Sequence, residues 1–130
     1  MQFHLPSTLL LLAATIFSAE SRRLTNAATG FCLDSDTTGR VNAMSCNGGN
    51  FQQWQLYKDS TVRNVATGMC LDSNMKTEVY TGQCNGGKYQ RWSISGGQFK
   101  SGGTLGCLDS NGDGHVYTHQ CNGGAYQRWN

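Results

Sequence analysis

The strongest constraint on this chain is a sequence unit that it contains three times. Each copy begins with Cys-Leu-Asp-Ser, continues after ten residues with Cys-Asn-Gly-Gly, and ends, two residues further on, with Gln-x-Trp. The copies occupy residues 32–54, 70–92 and 107–129, so their starts lie 38 and then 37 residues apart. Because self-similarity at a fixed period is the signature of repeat architectures, we expect three similar structural units after about residue 24.

The residues before the repeats are typical of a signal peptide, which we place at 1–21. The run 9–17 is apolar and uncharged, and Ala19 and Ser21 offer small side chains of the kind that signal peptidase requires. The apolar run is too short to span a bilayer. Arg22 and Arg23 also form a candidate dibasic processing site, and a buried first strand is the alternative interpretation. We therefore expect a secreted, extracellular protein whose mature chain starts between Glu20 and Leu24.

The remaining residues, 24–130, suit a single domain with a thin hydrophobic core. Only 38% of the chain is apolar and 17 residues are glycine, so covalent cross-links are expected to support the fold. Six cysteines allow 15 pairings, but the repetition favours one local disulfide in each copy. A zinc site is the competing interpretation, although no pair has CxxC spacing and we expect no metal or cofactor. The predicted pairs are Cys32 with Cys46, Cys70 with Cys84, and Cys107 with Cys121.

The pattern of short β-rich segments predicts an all-β fold. Runs at 62–64, 79–81, 92–94 and 116–118 are bounded by Gly, Asn and Ser, while 67–68, 85–87 and 122–124 have turn composition. This gives about four short strands per copy, and three such units without caps are expected to close on one another. We expect the tryptophans to point inward beside Leu33, Leu71 and Leu108. The glutamine two residues before each tryptophan is expected to tie its strand to a turn.

These motifs resemble the ricin-B-type β-trefoil lectins, in which Cys-Leu-Asp, a second cysteine and Gln-x-Trp recur in three copies. The segment 64–74, Asn-Val-Ala-Thr-Gly-Met-Cys-Leu-Asp-Ser-Asn, resembles most closely the repeats of the mosquitocidal toxin and pierisin group. The resemblance covers all of 24–130, with repeat one at about 24–60, repeat two at 61–97 and repeat three at 98–130. It implies a β-trefoil of three homologous repeats, each with its own disulfide, and a carbohydrate-binding function.

The resemblance also implies which side chains hold a sugar. The Asp of Cys-Leu-Asp binds ring hydroxyls, and the residues two and four positions before the second cysteine supply stacking and a further polar contact. The alternative for each Asp is a structural cap on its own turn through the following serine. The Asn of the Cys-Asn-Gly-Gly turn and the Gln of Gln-x-Trp complete the predicted set. By repeat, the candidates are Asp109, Tyr117, His119, Asn122 and Gln127 in repeat three; Asp72, Tyr80, Asn85 and Gln90 in repeat two; and Asp34 in repeat one.

The three copies are not expected to bind equally. Repeat three has both rings, repeat two has Gly82 where a ring could stand, and repeat one has Asn42 and Met44 at the two positions. We therefore rank the sites three, two, one. Galactose or N-acetylgalactosamine is the expected sugar ahead of xylan, and glycans or glycoproteins are the expected partners. The sugar linkage and the oligomeric state remain open at this point.

Other functional classes receive less support from the sequence. His115 and His119 belong to no catalytic signature, and the repeated aspartates occur one per copy, so we do not expect an enzyme. A formal charge of +2 on scattered residues does not predict binding to nucleic acid, and membrane insertion is not expected. The run 109–114 matches the first half of a calcium-binding loop, but Gln120 takes its twelfth position, which favours a hairpin turn. The rival function is a secreted trefoil that binds a protein, as a protease inhibitor or host-directed effector, with vestigial sugar sites.

Overall fold

A computed structural model describes residues 20–130, so nearly all of the predicted signal peptide lies outside the described residues. Eleven short strands and three single-turn 3-10 helices make up the regular structure of this part of the chain. The strands are β1 (Ser21–Arg22), β2 (Cys32–Ser35), β3 (Val41–Met44), β4 (Trp54–Leu56), β5 (Val62–Asn64), β6 (Cys70–Ser73), β7 (Val79–Gly82), β8 (Trp92–Ser95), β9 (Gln98–Ser101), β10 (Cys107–Ser110) and β11 (Val116–His119). The 3-10 helices span Asn50–Gln52, Lys88–Gln90 and Ala125–Gln127.

Each repeat contains a hairpin formed by its Cys-Leu-Asp-Ser strand and the strand that follows. The hairpins are β2–β3, β6–β7 and β10–β11, and in each the cysteine pairs with the residue two positions before the second cysteine. The strands predicted at 62–64, 79–81, 92–94 and 116–118 are all confirmed. The predicted turns are confirmed as well, because Gly68, Gly86 and Gly123 adopt the positive φ angles that favour glycine.

The three repeats close into a ring because each tryptophan strand pairs with the first strand of the next repeat. Trp54 pairs with Asn64 in β4–β5, and Trp92 pairs with Ser101 in β8–β9. In repeat three the pairing is reduced to a bridge between Trp129 and Asn26, which joins the end of the described chain to its beginning. This closure confirms the predicted all-β fold, a β-trefoil of three homologous repeats.

The trefoil begins a few residues earlier than the predicted boundary at Leu24. Ser21 and Arg22 form β1, which pairs antiparallel with Gln55 and Trp54 of β4. A mature chain that began at Leu24 would lack this strand and would leave one edge of β4 unpaired. The structure therefore shows that the folded part of the chain extends upstream of the paired arginines.

The core lies on the threefold axis and is built from the same residue of each repeat. The three tryptophans are at most 1% exposed, and they pack with Leu33, Leu71 and Leu108, as the sequence predicts. Each indole N–H donates to the carbonyl of the leucine in its own repeat, at 2.9 to 3.0 Å. The tryptophans are thus buried without an unsatisfied polar atom.

All three predicted disulfides are present. They link Cys32 to Cys46, Cys70 to Cys84 and Cys107 to Cys121, each across 14 residues, with Cα atoms 5.0 to 5.1 Å apart. Closing a loop of this length stabilises the fold by about 3 kcal/mol in the chain-entropy account. Between residues 20 and 130, none of the helices has the length and apolar character needed to cross a bilayer.

Candidate functional site

The glutamine of each Gln-x-Trp motif holds the aspartate of the same repeat. In repeat three, Gln127 Nε2 donates to Asp109 Oδ2 at 2.8 Å and to the carbonyl of Gln120 at 3.0 Å, while Gln127 Oε1 accepts from the N–H of Asn122 at 2.8 Å. The 3-10 helix Ala125–Gln127 places the glutamine there, 1% exposed. Gln127, which the sequence predicts as a sugar-binding residue, therefore lies beneath the Asp109 carboxylate and orients it.

The same arrangement recurs in the other two repeats. Gln90 Nε2 donates to Asp72 Oδ2 at 2.8 Å, and Gln52 Nε2 donates to Asp34 Oδ2 at 2.7 Å. Gln90, like Gln127, is 1% exposed and supports its aspartate from below. The carboxylate geometry is thus a property of the repeat, and any difference in binding between copies depends on the residues around it.

In repeats two and three the aspartate accepts a second bond from its own strand. The N–H of Ser110 donates to Asp109 Oδ1 at 2.7 Å, and the N–H of Ser73 donates to Asp72 Oδ1 at 2.8 Å. The structural role considered for these residues is therefore real. It does not exclude a ligand, because an ionised carboxylate offers about four acceptor positions and two remain.

Repeat three surrounds its aspartate with a cavity of about 400 Å³, here called the repeat-three pocket. Asp109 is 6% exposed and forms the inner wall. Four residues predicted from sequence meet here, namely Asp109, Tyr117, His119 and Asn122, and they are joined by Asn111 and Tyr126. The pocket therefore combines a fixed carboxylate, two phenol rings and an imidazole.

The hairpin β10–β11 brings Tyr117 beside the carboxylate, since Tyr117 pairs directly with Asp109. Burial raises the pKa of the Tyr117 hydroxyl above its ordinary value, and the negative charge of Asp109 and the nearby Tyr126 add to the rise. The phenol accordingly stays protonated at neutral pH and can donate a hydrogen bond to a ligand.

Asn122 lines the same pocket. Its Oδ1 accepts the N–H of Gly124 at 2.8 Å, which fixes the orientation of the side chain. Within the described part of the chain, no acceptor is bonded to its Nδ2 group. Asn122 therefore has an amide donor available beside the carboxylate acceptor of Asp109 and the hydroxyl donor of Tyr117.

Tyr126 was not among the site residues predicted from sequence. Its counterpart Tyr89 lies against Gly103, where an added Cβ would clash with the ring. The residue equivalent to Gly103 in repeat one is Ala28, four positions before Cys32, and its Cβ would oppose the same placement of the Tyr126 ring. Tyr126 remains 44% exposed and borders the repeat-three pocket. The signal in the sequence is the change from Gly103 to Ala28.

Repeat two has fewer ligand groups than repeat three. Asp72 and Tyr80 pair across the hairpin β6–β7, and burial followed by the charge of Asp72 raises the pKa of Tyr80. The Tyr80 hydroxyl also makes a long 3.4 Å bond to the carbonyl of Ser73. Gly82 leaves the position of the imidazole without a ring, and Asn85 bonds to Gly87 as Asn122 does to Gly124.

Repeat one brings the fewest predicted groups together. Asp34 is held by its glutamine, but Asn42 and Met44 stand at the two ring positions of its hairpin. These two residues line a cavity of about 280 Å³ that is bordered by Asp113 and His115 of repeat three rather than by Asp34. The order of the sites, three before two before one, stays a prediction.

The calcium-loop-like run forms a hairpin turn. Asn111 Oδ1 accepts the N–H groups of Asp113 and His115 at 2.9 and 3.1 Å, so its oxygen is used within the turn. Over residues 20–130, His, Cys, Asp and Glu side chains form no group of three that could hold a metal ion.

Comparison with protein families gives one match, and it covers nearly all of the described chain. Residues 20–129 match the family described as the ricin-type beta-trefoil lectin domain. A comparison with curated protein sequences gives no match.

Solved structures with the same fold include several lectins. The hemolytic lectin CEL-III is 30% identical with a TM-score of 0.75, over 84% of this chain and 29% of its own. The β-trefoil lectin of the Vibrio vulnificus hemolysin/cytolysin, solved with bound N-acetyl-D-lactosamine, is 25% identical with a TM-score of 0.75, over 87% of this chain and 93% of its own. A mosquitocidal holotoxin is 17% identical with a TM-score of 0.75, over 85% of this chain and 17% of its own, and shares the fold. The chain thus spans under a third of CEL-III.

Proposed function

The chain belongs to the ricin-type β-trefoil lectin family, and from this premise we propose that it is a secreted lectin that binds galactose- or N-acetylgalactosamine-type glycans through repeat three. A carbohydrate-binding function follows from the family and from the lectins that share the fold. The type of sugar, the assignment of its binding site to repeat three, and secretion of the protein are what we propose beyond that. We infer no catalytic role, since the proposed chemistry is recognition by hydrogen bonds and ring contacts.

The observation that carries the proposal is the repeat-three pocket. Asp109 is fixed on both oxygens yet borders the cavity, so it can accept hydrogen bonds from two adjacent sugar hydroxyls without reorganising. Tyr117 and Asn122 provide donors, and the rings of His119 and Tyr126 provide flat surfaces for the apolar face of a sugar ring. Fixed polar groups and exposed rings in one concave site are what small neutral ligands require.

The choice of a galactose-type sugar draws on the family resemblance and on one relative. The Vibrio vulnificus lectin was solved with N-acetyl-D-lactosamine, a disaccharide that ends in galactose. Repeat two, with Asp72 and Tyr80, is proposed as a weaker second site. Two sites on different lobes of one molecule would raise the avidity for a dense glycan surface well above the affinity of either site.

Secretion is proposed from the apolar run at 9–17 and from the three disulfides, which persist in oxidising compartments. Cleavage after Ala19 would keep β1, whereas cleavage after Arg23 would remove it. We therefore propose Glu20 as the first residue of the mature protein.

A glycan array with matched variants tests the proposal. The wild-type protein should bind arrayed galactosides, Asp109→Asn should lose most of the signal, and Asp34→Asn should retain it, because the same change is made in the copy without rings. Asp72→Asn should lower binding on densely arrayed glycans only. An unchanged array signal for Asp109→Asn would favour the protein-binding function instead. So would capture of a protein target that free galactose does not displace.

A further inference from the structure

Leu105 occupies a backbone position that suits glycine. Its φ is 66°, and the equivalent residues of the other two repeats are Gly30 and Gly68, with φ of 76° and 73°. This left-handed region is unfavourable for any residue with a Cβ. Leu105 is nevertheless 65% exposed, so burial in the core does not offset the strain. A strained and exposed leucine points to a contact outside the fold.

Thr77 repeats this pattern in the hairpin turn of repeat two. Its φ is 68°, and its equivalents are Gly39 and Gly114, with φ of 92° and 86°. A Cβ on Gly39 would lie 2.7 Å from the carbonyl oxygen of Thr81, and one on Gly114 would clash with the corresponding carbonyl of repeat one. Thr77 therefore needs more space between its turn and the next repeat than the other two turns leave.

Leu105 and Thr77 border the same cavity, of about 300 Å³, between repeats two and three. Met75, 69% exposed, and Leu105 give it apolar surface, and Thr118 of β11 also lines it. Among the described residues that line this cavity, none is an acid, a lysine or an arginine. Its other side chains are polar but uncharged, Asn74, Thr104 and Gln120 among them. The cavity therefore suits an uncharged group that presents apolar surface to Met75 and Leu105.

The cavity and the repeat-three pocket share one lining residue. His119 borders both spaces, so the two cavities lie next to each other. The two volumes, about 300 and 400 Å³, are each of the size of a small-ligand site.

We propose that this cavity, here called the aglycone cavity, binds the apolar group attached to the sugar that occupies the repeat-three pocket. The preferred ligands would then be glycosides with an alkyl or similar apolar aglycone. This inference rests on the proposed function, because it extends the same site. It assigns to Leu105 and Met75 a role in specificity, which accounts for two large exposed apolar side chains in the cavity next to the repeat-three pocket.

Calorimetric titration of the full folded domain with methyl β-galactoside and hexyl β-galactoside tests the assignment. Hexyl β-galactoside should bind about tenfold more tightly than methyl β-galactoside, because the hexyl chain would bury apolar area in the cavity. Leu105→Asn, in which asparagine tolerates the left-handed backbone, should reduce this ratio to near one and leave the affinity for the methyl compound unchanged. Equal affinities of the wild type for both compounds, or an unchanged ratio in Leu105→Asn, would overturn the proposal.

Ser60→Gly provides the matched control. Ser60 has φ of 74° and lies in the turn that links repeats one and two, away from both cavities. Ser60→Gly and Leu105→Gly should each keep or raise the thermal midpoint of unfolding, because glycine adopts the left-handed backbone conformation at these positions without strain. Only Leu105→Gly should lose the preference for the hexyl compound.

A nuclear magnetic resonance experiment separates failure of this inference from failure of the proposed function. With methionine methyl groups labelled, hexyl β-galactoside and 1-hexanol should both shift the Met75 signal, and methyl β-galactoside should shift it little. If 1-hexanol shifts Met75 but neither galactoside binds, the sugar assignment fails and the cavity assignment stands. If neither hexyl compound shifts Met75, or if N-acetylgalactosamine shifts it and hexyl β-galactoside does not, the aglycone cavity is refuted.

Discussion

Gln127 Nε2 lies 2.8 Å from Asp109 Oδ2, and this bond joins the Gln-x-Trp motif to the Cys-Leu-Asp motif across 18 residues. Because Gln127 is buried beneath the carboxylate, its contribution to binding is to fix the direction of Asp109. The recurrence of two distant motifs in every copy thus has a single physical explanation, the pairing of one amide with one carboxylate.

Replacing Gln127 by Glu should damage repeat three in two ways. The new carboxylate would face the negative charge of Asp109. The change would also remove the amide N–H group that donates to the Gln120 carbonyl. We expect the affinity of repeat three for its sugar to fall more than tenfold, and the free energy of unfolding to fall by about 2 to 3 kcal/mol. Calorimetric titration and urea denaturation measure the two effects.

Gln90→Glu is the matched control for this change, since Gln90 makes the same bonds in repeat two. It should lower the free energy of unfolding by a similar amount and leave the affinity of repeat three unchanged. Equal loss of repeat-three affinity in both variants would show that binding depends on global stability and not on the orientation of Asp109.

Tyr126→Ala should weaken sugar binding at repeat three by about tenfold, because it removes an exposed ring from the pocket wall. Tyr89→Ala should leave that binding unchanged, since the Tyr89 ring packs on Gly103. Titration of each variant with the sugar identified on the array gives the comparison. Equal effects of the two changes would contradict the assignment of Tyr126 to the pocket.

A change in repeat one offers a second test that leaves every pocket residue in place. Ala28 is the residue of repeat one equivalent to Gly103, so Ala28→Gly should give Tyr126 the room that Gly103 gives to Tyr89. We expect the ring to fold back and the affinity of repeat three to fall. An unchanged affinity, with the Tyr126 ring still at the pocket in a structure of the variant, would show that another contact holds the ring there.

The three disulfides should stabilise the trefoil to a similar extent. Each closes a loop with a separation of 14 residues, so replacing both cysteines of any one pair by serine should cost about 3 kcal/mol of unfolding free energy. Urea denaturation of the three double variants measures the cost. A pair whose removal costs far more than the others would show that native packing, and not loop closure, dominates there.

The pKa of Tyr117 predicts the behaviour of the protein at alkaline pH. A group whose pKa is higher in the folded than in the unfolded state adds stability below its unfolded pKa of about 10, and that stability is lost as the pH rises through the folded pKa. The free energy of unfolding should therefore decline above about pH 10. In Tyr117→Phe the free energy of unfolding should decline less over this pH range. An identical decline in the variant and the wild type would show that Tyr117 does not cause it.

The position of β1 predicts the start of the mature protein. Amino-terminal sequencing of the protein secreted from expressing cells should begin at Glu20 and thus retain Ser21 and Arg22. A start at Leu24 would show that β1 is dispensable. Retention of residues 1–19 would contradict the signal peptide.

Most of the fold followed from the sequence because the repetition carries the structural information three times. The disulfide pairs, the inward tryptophans and the turns at Gly68, Gly86 and Gly123 are all local features of one unit, so an assignment in one copy supports the others. The strand Ser21–Arg22 was not predicted, because a two-residue strand is defined by its partner β4 and not by its own composition.

The repeat-three pocket was predicted less completely than the fold. The family resemblance implied Asp109, Tyr117, His119 and Asn122, and these four residues line one pocket. The role of Gln127 beneath the carboxylate and the exposure of Tyr126 depend on packing between segments. The contact of Tyr89 with Gly103, which distinguishes it from Tyr126, joins two repeats and becomes visible only when the trefoil is assembled.

Asp109 and the side chains around it form the principal sugar site that we propose. The most direct measurement is a nuclear magnetic resonance titration of the folded protein with the best ligand from the glycan array, for the wild type and for Asp109→Asn. We predict that the strongest shifts of the wild type lie at Tyr117, His119, Asn122 and Tyr126, and that they vanish in Asp109→Asn. Saturable binding that leaves these residues unshifted, or that persists in the variant with unchanged affinity, would contradict the account.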